Sequence, residues 1–200
     1  MKKLHDAYFE KAKREGYAAR SVYKIEEIDR RLRLLRKGMA VLDLGCRPGS
    51  WMQYASARVG PLGKVVGIDL HAVSVALPAH CVALQMDATA PDLPALAARA
   101  RTFQVVLSDM APDTSGVKFV DQARSMALCE AAFDLAGQVL APGGHLVVKI
   151  FQGPGFQEFV ARVRAAFDAV TIEKPASSRK ESKEIYVVGR GRKPGPGPGG

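Results

Sequence analysis

Only three cysteines, Cys46, Cys81 and Cys129, occur among 200 residues. They are odd in number, far apart and without metal-ligand spacing, so they read as reduced thiols and exclude a disulfide scaffold. The four histidines, His5, His71, His80 and His145, have no cysteine or carboxylate at ligand spacing, and no structural metal is expected. No run approaches the roughly 18 unbroken apolar residues of a membrane span. The opening MKKLHDAYFEKAK turns charged and aromatic where a signal peptide needs an apolar stretch, so a cytoplasmic, membrane-free protein is expected. Aromatic residues are scarce at 7%, with a single tryptophan, Trp51. What remains is ordinary for a soluble globular chain: 48% hydrophobic and 24% charged residues, enough for one domain with a real core.

The charge is not ordinary. The formal balance is +9, and it is concentrated at the ends: residues 1–38 carry net +6, residues 174–200 net +5, and the middle net −2. A near-neutral body with basic ends suits either a chain whose termini touch a polyanion or one whose ends merely aid solubility.

From 17 to 35 the apolar residues Val22, Ile25, Ile28, Leu32 and Leu35 recur at three- and four-residue steps. This predicts an amphipathic helix ended by Gly38. Strand-like and helix-like segments then alternate. MAVLDLG (39–45), GKVVGIDL (63–70), HCVALQMD (80–87), FQVVLSDM (103–110) and GHLVVKIF (144–151) read as five strands. An Ala-rich stretch from 120 to 140, stopped by Ala141-Pro142-Gly143-Gly144, reads as a helix, as does 155–167. Apolar strands separated by helices predict a parallel sheet covered on both faces. AVTIEK (169–174) and EIYVVGR (184–190) are joined by a polar linker too short for a crossover helix, so they should form an antiparallel hairpin at one side of the sheet. The predicted fold is therefore α/β: a Rossmann-like, mostly parallel sheet with a C-terminal antiparallel hairpin. This arrangement is common among methyltransferases that use S-adenosylmethionine. Three regions are expected: a basic helical extension (1–38) packed on the domain, the domain itself (39–190), and a Pro-Gly tail (191–200) that cannot pack.

The first strand runs into Asp43-Leu44-Gly45-Cys46-Arg47-Pro48-Gly49-Ser50-Trp51, a turn whose glycines let backbone approach a ligand. Asp69 closes the second strand where doubly wound folds place an acceptor for a ribose diol, and Asp87 ends the third, a natural place to meet an adenine edge. No Gly-Lys-Ser/Thr occurs here, which excludes a P-loop, and the turn lacks the third glycine of G-x-G-x-x-G. An adenosine-bearing cofactor is expected, and the turn alone does not say which. Further along, Asp109 ends the fourth strand beside this cleft, and Lys149 ends the fifth in an apolar setting. Such a lysine is either a snorkelling edge residue or a functional amine.

Five segments, GYAARSVYKIEEI, VLDLGCRPGSW, SDMAPDTSG, LAPGGHLVVKIFQG and KPASSRKESKEIYVV, stand in an order that resembles the FtsJ/RrmJ family of ribose 2′-O-methyltransferases. The likeness runs from about residue 6 to 193. It implies a Lys-Asp-Lys-Glu tetrad at Lys24, Asp109, Lys149 and Glu184. It also implies a methyl-donor site for S-adenosylmethionine that includes Gly45, Gly49, Trp51, Asp69, Asp87 and Asp109. The chain departs from the usual family turn at Cys46, Arg47 and Ser50. A ribose hydroxyl is a poor nucleophile until it loses its proton, and an uncharged lysine amine can take that proton; desolvation and a second nearby amine favour the uncharged form. Lys149 is thus expected to be the base, with Lys24 polarising the 2′-oxygen and the two carboxylates orienting the amines.

A 2′-hydroxyl target means RNA. Lys11, Lys13, Arg14, Arg20, Arg30, Arg31 and Arg33 with Arg179, Lys180 and Lys183 are expected to hold phosphates, and Tyr17, Tyr23 and Phe151 are candidates for base stacking. The resemblance implies a uridine in large-subunit ribosomal RNA as target, with transfer RNA the alternative; a monomer is the default expectation. Methylation of a base is a different use of the same fold. The Asp/Asn-Pro-Pro-aromatic of amino-nitrogen enzymes is absent after Asp109, and no cysteine nucleophile lies near it. A non-catalytic assembly factor of the same fold would have no need of the lysine pair.

Overall fold

A computed structural model describes residues 7–113, 115–178 and 182–194. Seven strands form one sheet: β1 (Ala40–Leu44), β2 (Lys64–Asp69), β3 (Cys81–Gln85), β4 (Phe103–Ser108), β5 (Leu140–Phe151), β6 (Phe167–Glu173) and β7 (Glu184–Arg192). Their order is β3-β2-β1-β4-β5-β7-β6. Pairings among the first five are parallel, and β7 is antiparallel to both β5 and β6. The expected hairpin is present, but its second strand lies inside. Helix α6 (Phe156–Ala166) carries the chain past one strand position to β6, and β7 returns to fill the gap.

Alternation along the strands splits the core into two layers. Leu42, Val66, Val106, Leu146 and Val148 face α4 (Leu93–Ala97), α5 (Lys118–Val139) and α6. Val41, Val65, Val105, Val147 and Tyr186 face α1 (Ala7–Arg14), α2 (Val22–Leu32) and α3 (Ser50–Val59). Lys149 and Tyr186 pair directly across β5 and β7, so both lie on the α2–α3 side.

The predicted helix over 17–35 is shorter. Helix α2 stops at Leu32 because Arg33 adopts the left-handed conformation (φ 53°) and donates its N–H to the Asp29 carbonyl, which turns Leu34 and Leu35 into the core. The tail expectation also gives way at its start. The Arg192 guanidinium donates to the carbonyls of Leu140 (2.8 Å) and Gly137 (2.7 Å), and Lys193 Nζ donates to those of Ala165 (3.1 Å) and Arg164 (3.4 Å). Cations at the C-terminal ends of α5 and α6 are held there by carbonyls the helices leave unpaired. Residues 195–200, the rest of that tail, lie outside the described residues. Among the described residues no helix is long and apolar enough to cross a membrane.

Candidate active site

Strand order reverses between β1 and β4, since β1 continues to β2 on one side while β4 leads to β5 on the other. Open α/β sheets bind ligands in the crevice such a reversal leaves at the carboxyl ends of the strands. Here the crevice is a cleft of about 560 Å³ whose walls include Gly45, Asp69, Asp87 and Asp109. Gly45 has φ 72°, and a Cβ there would lie 2.8 Å from Met110 Cγ, so only glycine admits this close approach of the turn to β4. The Asp69 carboxylate accepts the N–H groups of Arg47 (3.0 Å) and His71 (2.9 Å), tying together the two loops that frame the cleft. Asp87 accepts from both the N–H and the hydroxyl of Thr89, which hold its carboxyl below the usual range and keep it an anionic acceptor at the rim.

Asp43 sits beneath the turn, fully buried, and neither carboxyl oxygen has a hydrogen-bond partner among the described residues. Burial raises its pKa well above the ordinary value, with Asp109 and Asp69 adding to the rise.

Trp51 does not line the cleft. It is buried, its indole N–H donates to the Ser21 carbonyl at 2.9 Å, and its ring lies 5.9 Å from that of Tyr186, so its side chain joins α3 to the start of α2 and to β7. Gly49 is also off the cleft wall; with φ 113° it starts α3, and a Cβ there would strike Val75. The three departures in the turn are accommodated locally. The Cys46 side chain packs over Gly67, the Arg47 side chain is exposed, and the Ser50 hydroxyl meets that of Ser21 at 3.0 Å.

The four tetrad residues form two ion pairs. Lys149 Nζ lies 3.2 Å from Asp109 Oδ1 and donates to the Asp109 carbonyl at 2.5 Å. Lys24 Nζ lies 2.6 Å from Glu184 Oε1. The register that sets Lys149 opposite Tyr186 places Glu184 two residues along β7 on the same face. Tyr186 braces the first pair. Its hydroxyl donates to Asp109 Oδ1 at 2.7 Å, and burial followed by the Asp109 and Glu184 carboxylates pushes its pKa well up, keeping it a donor. Its alternation with Glu184 was readable in the sequence; its partnership with Asp109, 77 positions away, was not.

The basic helix is less free than its composition suggests. Arg20 donates to the Ser177 carbonyl, and Arg31 pairs with Glu173 at 2.5 Å. Lys11 Nζ lies over the Tyr23 ring at 4.1 Å. Arg30 and Arg33 are exposed. Arg179 and Lys180 lie outside the described residues. Of the stacking candidates, Tyr23 is removed by burial at 1% exposure, whereas Tyr17 and Phe151 are half-buried.

A family model described as FtsJ-like methyltransferase matches residues 17–192. The chain belongs to the FtsJ-like methyltransferase family. Among its relatives in the family, a ribosomal RNA large subunit methyltransferase E of Desulfosudis oleivorans is 53% identical over 96% of this chain and 93% of its own length. One of the same description from Syntrophobacter fumaroxidans is 51% identical over 93% of this chain and 95% of its own. A crystal structure described as a ribosomal RNA methyltransferase of Plasmodium falciparum superposes with a TM-score of 0.77 at 25% identity, covering 88% of this chain and 98% of that one. The family's methyl-transfer chemistry agrees with the cleft, where three carboxyl groups, those of Asp69, Asp87 and Asp109, line the walls around a narrow glycine turn and favour a cationic ligand.

Proposed function

We propose that this protein transfers a methyl group from S-adenosylmethionine to a ribose 2′-hydroxyl of large-subunit ribosomal RNA, a uridine in particular. The observation that carries this reading is the placement of two lysine–carboxylate pairs beside an acid-walled cleft, with Asp109 both in the Lys149 pair and in the cleft wall. The cofactor fits the residues present: Asp69 and Asp87 are acceptors suited to a ribose diol and an adenine amine, and the glycine turn at Gly45 admits close backbone approach. When bound, adenosylmethionine supplies a methyl carbon on a positively charged sulfur.

The chain's own part is to hold and deprotonate the alcohol. An uncharged Lys149 amine has two hydrogens and one lone pair. The Asp109 carbonyl takes one hydrogen and the Asp109 carboxylate lies 3.2 Å from the amine, which holds the nitrogen in place and leaves its lone pair to a 2′-hydroxyl. Lys24, fixed by Glu184, directs positive charge at the oxygen as it becomes anionic. Tyr186 holds the Asp109 carboxylate so that its direction is set from both sides. The proton of the 2′-hydroxyl would leave on the Lys149 amine, which frees the oxygen to accept the methyl group that the bound cofactor would supply.

The test is incubation with tritiated adenosylmethionine and, separately, large ribosomal subunits, naked ribosomal RNA and transfer RNA, followed by mapping of label to ribose or base. Label on a ribose of the large-subunit RNA is expected. Label on a base, or none, rejects the reading, and label on transfer RNA alone replaces its substrate. Lys149→Ala should slow transfer by about 100-fold or more while adenosylmethionine still binds, in line with general-base contributions of roughly 10²–10⁴. A variant with normal turnover removes Lys149 from the role of base.

A further inference from the structure

We propose that Glu27 is a positioning residue for methyl transfer: with Arg20 it clamps the connection between β6 and β7 onto α2 and so sets the Lys24–Glu184 pair, an inference that rests on the function proposed above. Lys24 belongs to α2 and Glu184 opens β7, so their 2.6 Å contact depends on how the helix sits against that connection. Apolar contacts of Val22, Ile25 and Ile28 hold α2 down on the sheet, but such contacts are non-directional and leave sliding and rotation weakly specified.

Direction comes from a polar stripe. Lys24, Glu27 and Arg31 follow one another at steps of three and four residues, which puts them on one side of α2, and Arg20 lies in the turn that leads into it. All four engage the same stretch of chain. Glu27 Oε2 accepts the Ala176 N–H at 2.6 Å and its Oε1 accepts the Ser177 N–H at 3.0 Å. Arg20 donates to the Ser177 carbonyl at 2.5 Å, and Arg31 pairs with Glu173 at 2.5 Å. Two successive amides converging on one carboxylate form an anion-binding concavity of backbone, closed here by the turn in which Ser178 N–H donates to the Pro175 carbonyl. Glu27 is therefore not a solvated surface acid, since both its oxygens are committed to backbone of a distant segment.

The clamp reaches the tetrad through a short path. Lys174 Nζ donates to the Ser182 carbonyl at 3.1 Å, tying the two ends of the connection together, and the Ser182 hydroxyl accepts the Glu184 N–H at 3.3 Å. A displacement at Ala176 and Ser177 is thus passed to the residue that holds Lys24. Misplacement of a reacting group by about 1 Å is enough to lower a rate by about 100-fold.

The experiment compares Glu27→Ala, Glu27→Gln and Arg20→Lys with the parent in single-turnover methylation of the ribosomal RNA substrate, with adenosylmethionine affinity, thermal melting and amide exchange measured alongside. Glu27→Ala is expected to lower the rate by roughly 10-fold or more with adenosylmethionine affinity held within about twofold. Glu27→Gln, which keeps one acceptor, should fall between. Exchange at the amides of Ala176 and Ser177 should quicken. The decisive arm repeats Glu27→Ala in a Glu184→Gln background, where its effect should shrink to under about twofold because the pair it serves is gone. The proposal is overturned if a folded Glu27→Ala keeps the parental rate, or if its loss is undiminished in the Glu184→Gln background, as a merely structural role predicts. Should Glu27→Ala fail to fold, Glu27→Gln and Arg20→Lys face the same two criteria. If the parent itself leaves ribose unlabelled, the functional reading fails instead, and unchanged exchange at the two amides in Glu27→Gln then still refutes the clamp.

Discussion

Asp43 places a carboxyl in the interior where both oxygens lack a partner among the described residues, and burial is the main cause of its raised pKa. The folded chain therefore retains a proton there that the unfolded chain releases near 3.8. The stability this proton confers is fully present below that value and is lost as the pH climbs toward the raised native value. Asp43→Asn cannot ionise, so its stability relative to the parent should shift in the variant's favour between about pH 5 and about pH 8. Urea midpoints at the two pH values measure this, and an identical difference at both would mean that the native carboxyl is already charged. At this scale much of the site was legible. Asp69, Asp87, Asp109 and Lys149 all end predicted strands, and strand ends on one side of a parallel sheet converge. Trp51 stands beside the glycine turn in sequence, which is local information, while the carbonyl that takes its indole N–H belongs to Ser21, 30 residues earlier, and this turns the side chain off the cleft wall. Tyr186 stayed hidden because its partner is fixed by strand order, which no local pattern encodes.

Helix α2 shows how an element is held in place. Its apolar stripe predicted the buried face correctly, but not where the helix ends, because that depends on Asp29. This carboxylate, 1% exposed, accepts from the Leu35 N–H at 2.8 Å, the Tyr54 hydroxyl at 2.8 Å and Arg58 Nε at 2.9 Å. It stabilises the left-handed exit at Arg33 and joins α2 to α3 in one step. Composition cannot distinguish such an aspartate from the solvated acids beside it, since two of its partners lie 25 and 29 positions away. Asp29→Ala leaves a buried hydroxyl and a buried amide unpaired and should destabilise the fold by about 3 kcal/mol. Urea unfolding measures that loss, and a change below about 0.5 kcal/mol, typical of a surface site, would show that the network is incidental. The hairpin of β6 and β7 illustrates the same boundary. Linker length predicted antiparallel pairing, whereas the insertion of β7 between β5 and β6 follows from the span of α6.

Over the whole molecule the basic ends divide into cations committed to the fold and cations facing solvent. Arg192 and Lys193 close the carboxyl ends of α5 and α6, Arg20 and Arg31 hold the β6–β7 connection, and Lys24 serves Glu184. The +9 balance thus overstates the charge available to a polyanion. Arg30, on the helix that carries Lys24, and Arg33, at its exit, are exposed, and they are cations free to meet phosphates. Neutralised phosphates release counterions, so each contact adds about 0.9 to the slope of log affinity against log salt for a duplex and about 0.7 for a single strand. Replacing both Arg30 and Arg33 by alanine should lower that slope by roughly 1.4–1.8 and weaken binding to ribosomal RNA fragments regardless of sequence. Lys193→Ala should leave the slope alone, because its ammonium caps α6 by way of Arg164 and Ala165. Filter binding over a potassium chloride series separates the two kinds of cation. Equal losses of slope from Lys193→Ala and from either arginine substitution would mean that RNA senses only the overall field and that the division drawn here does not govern binding.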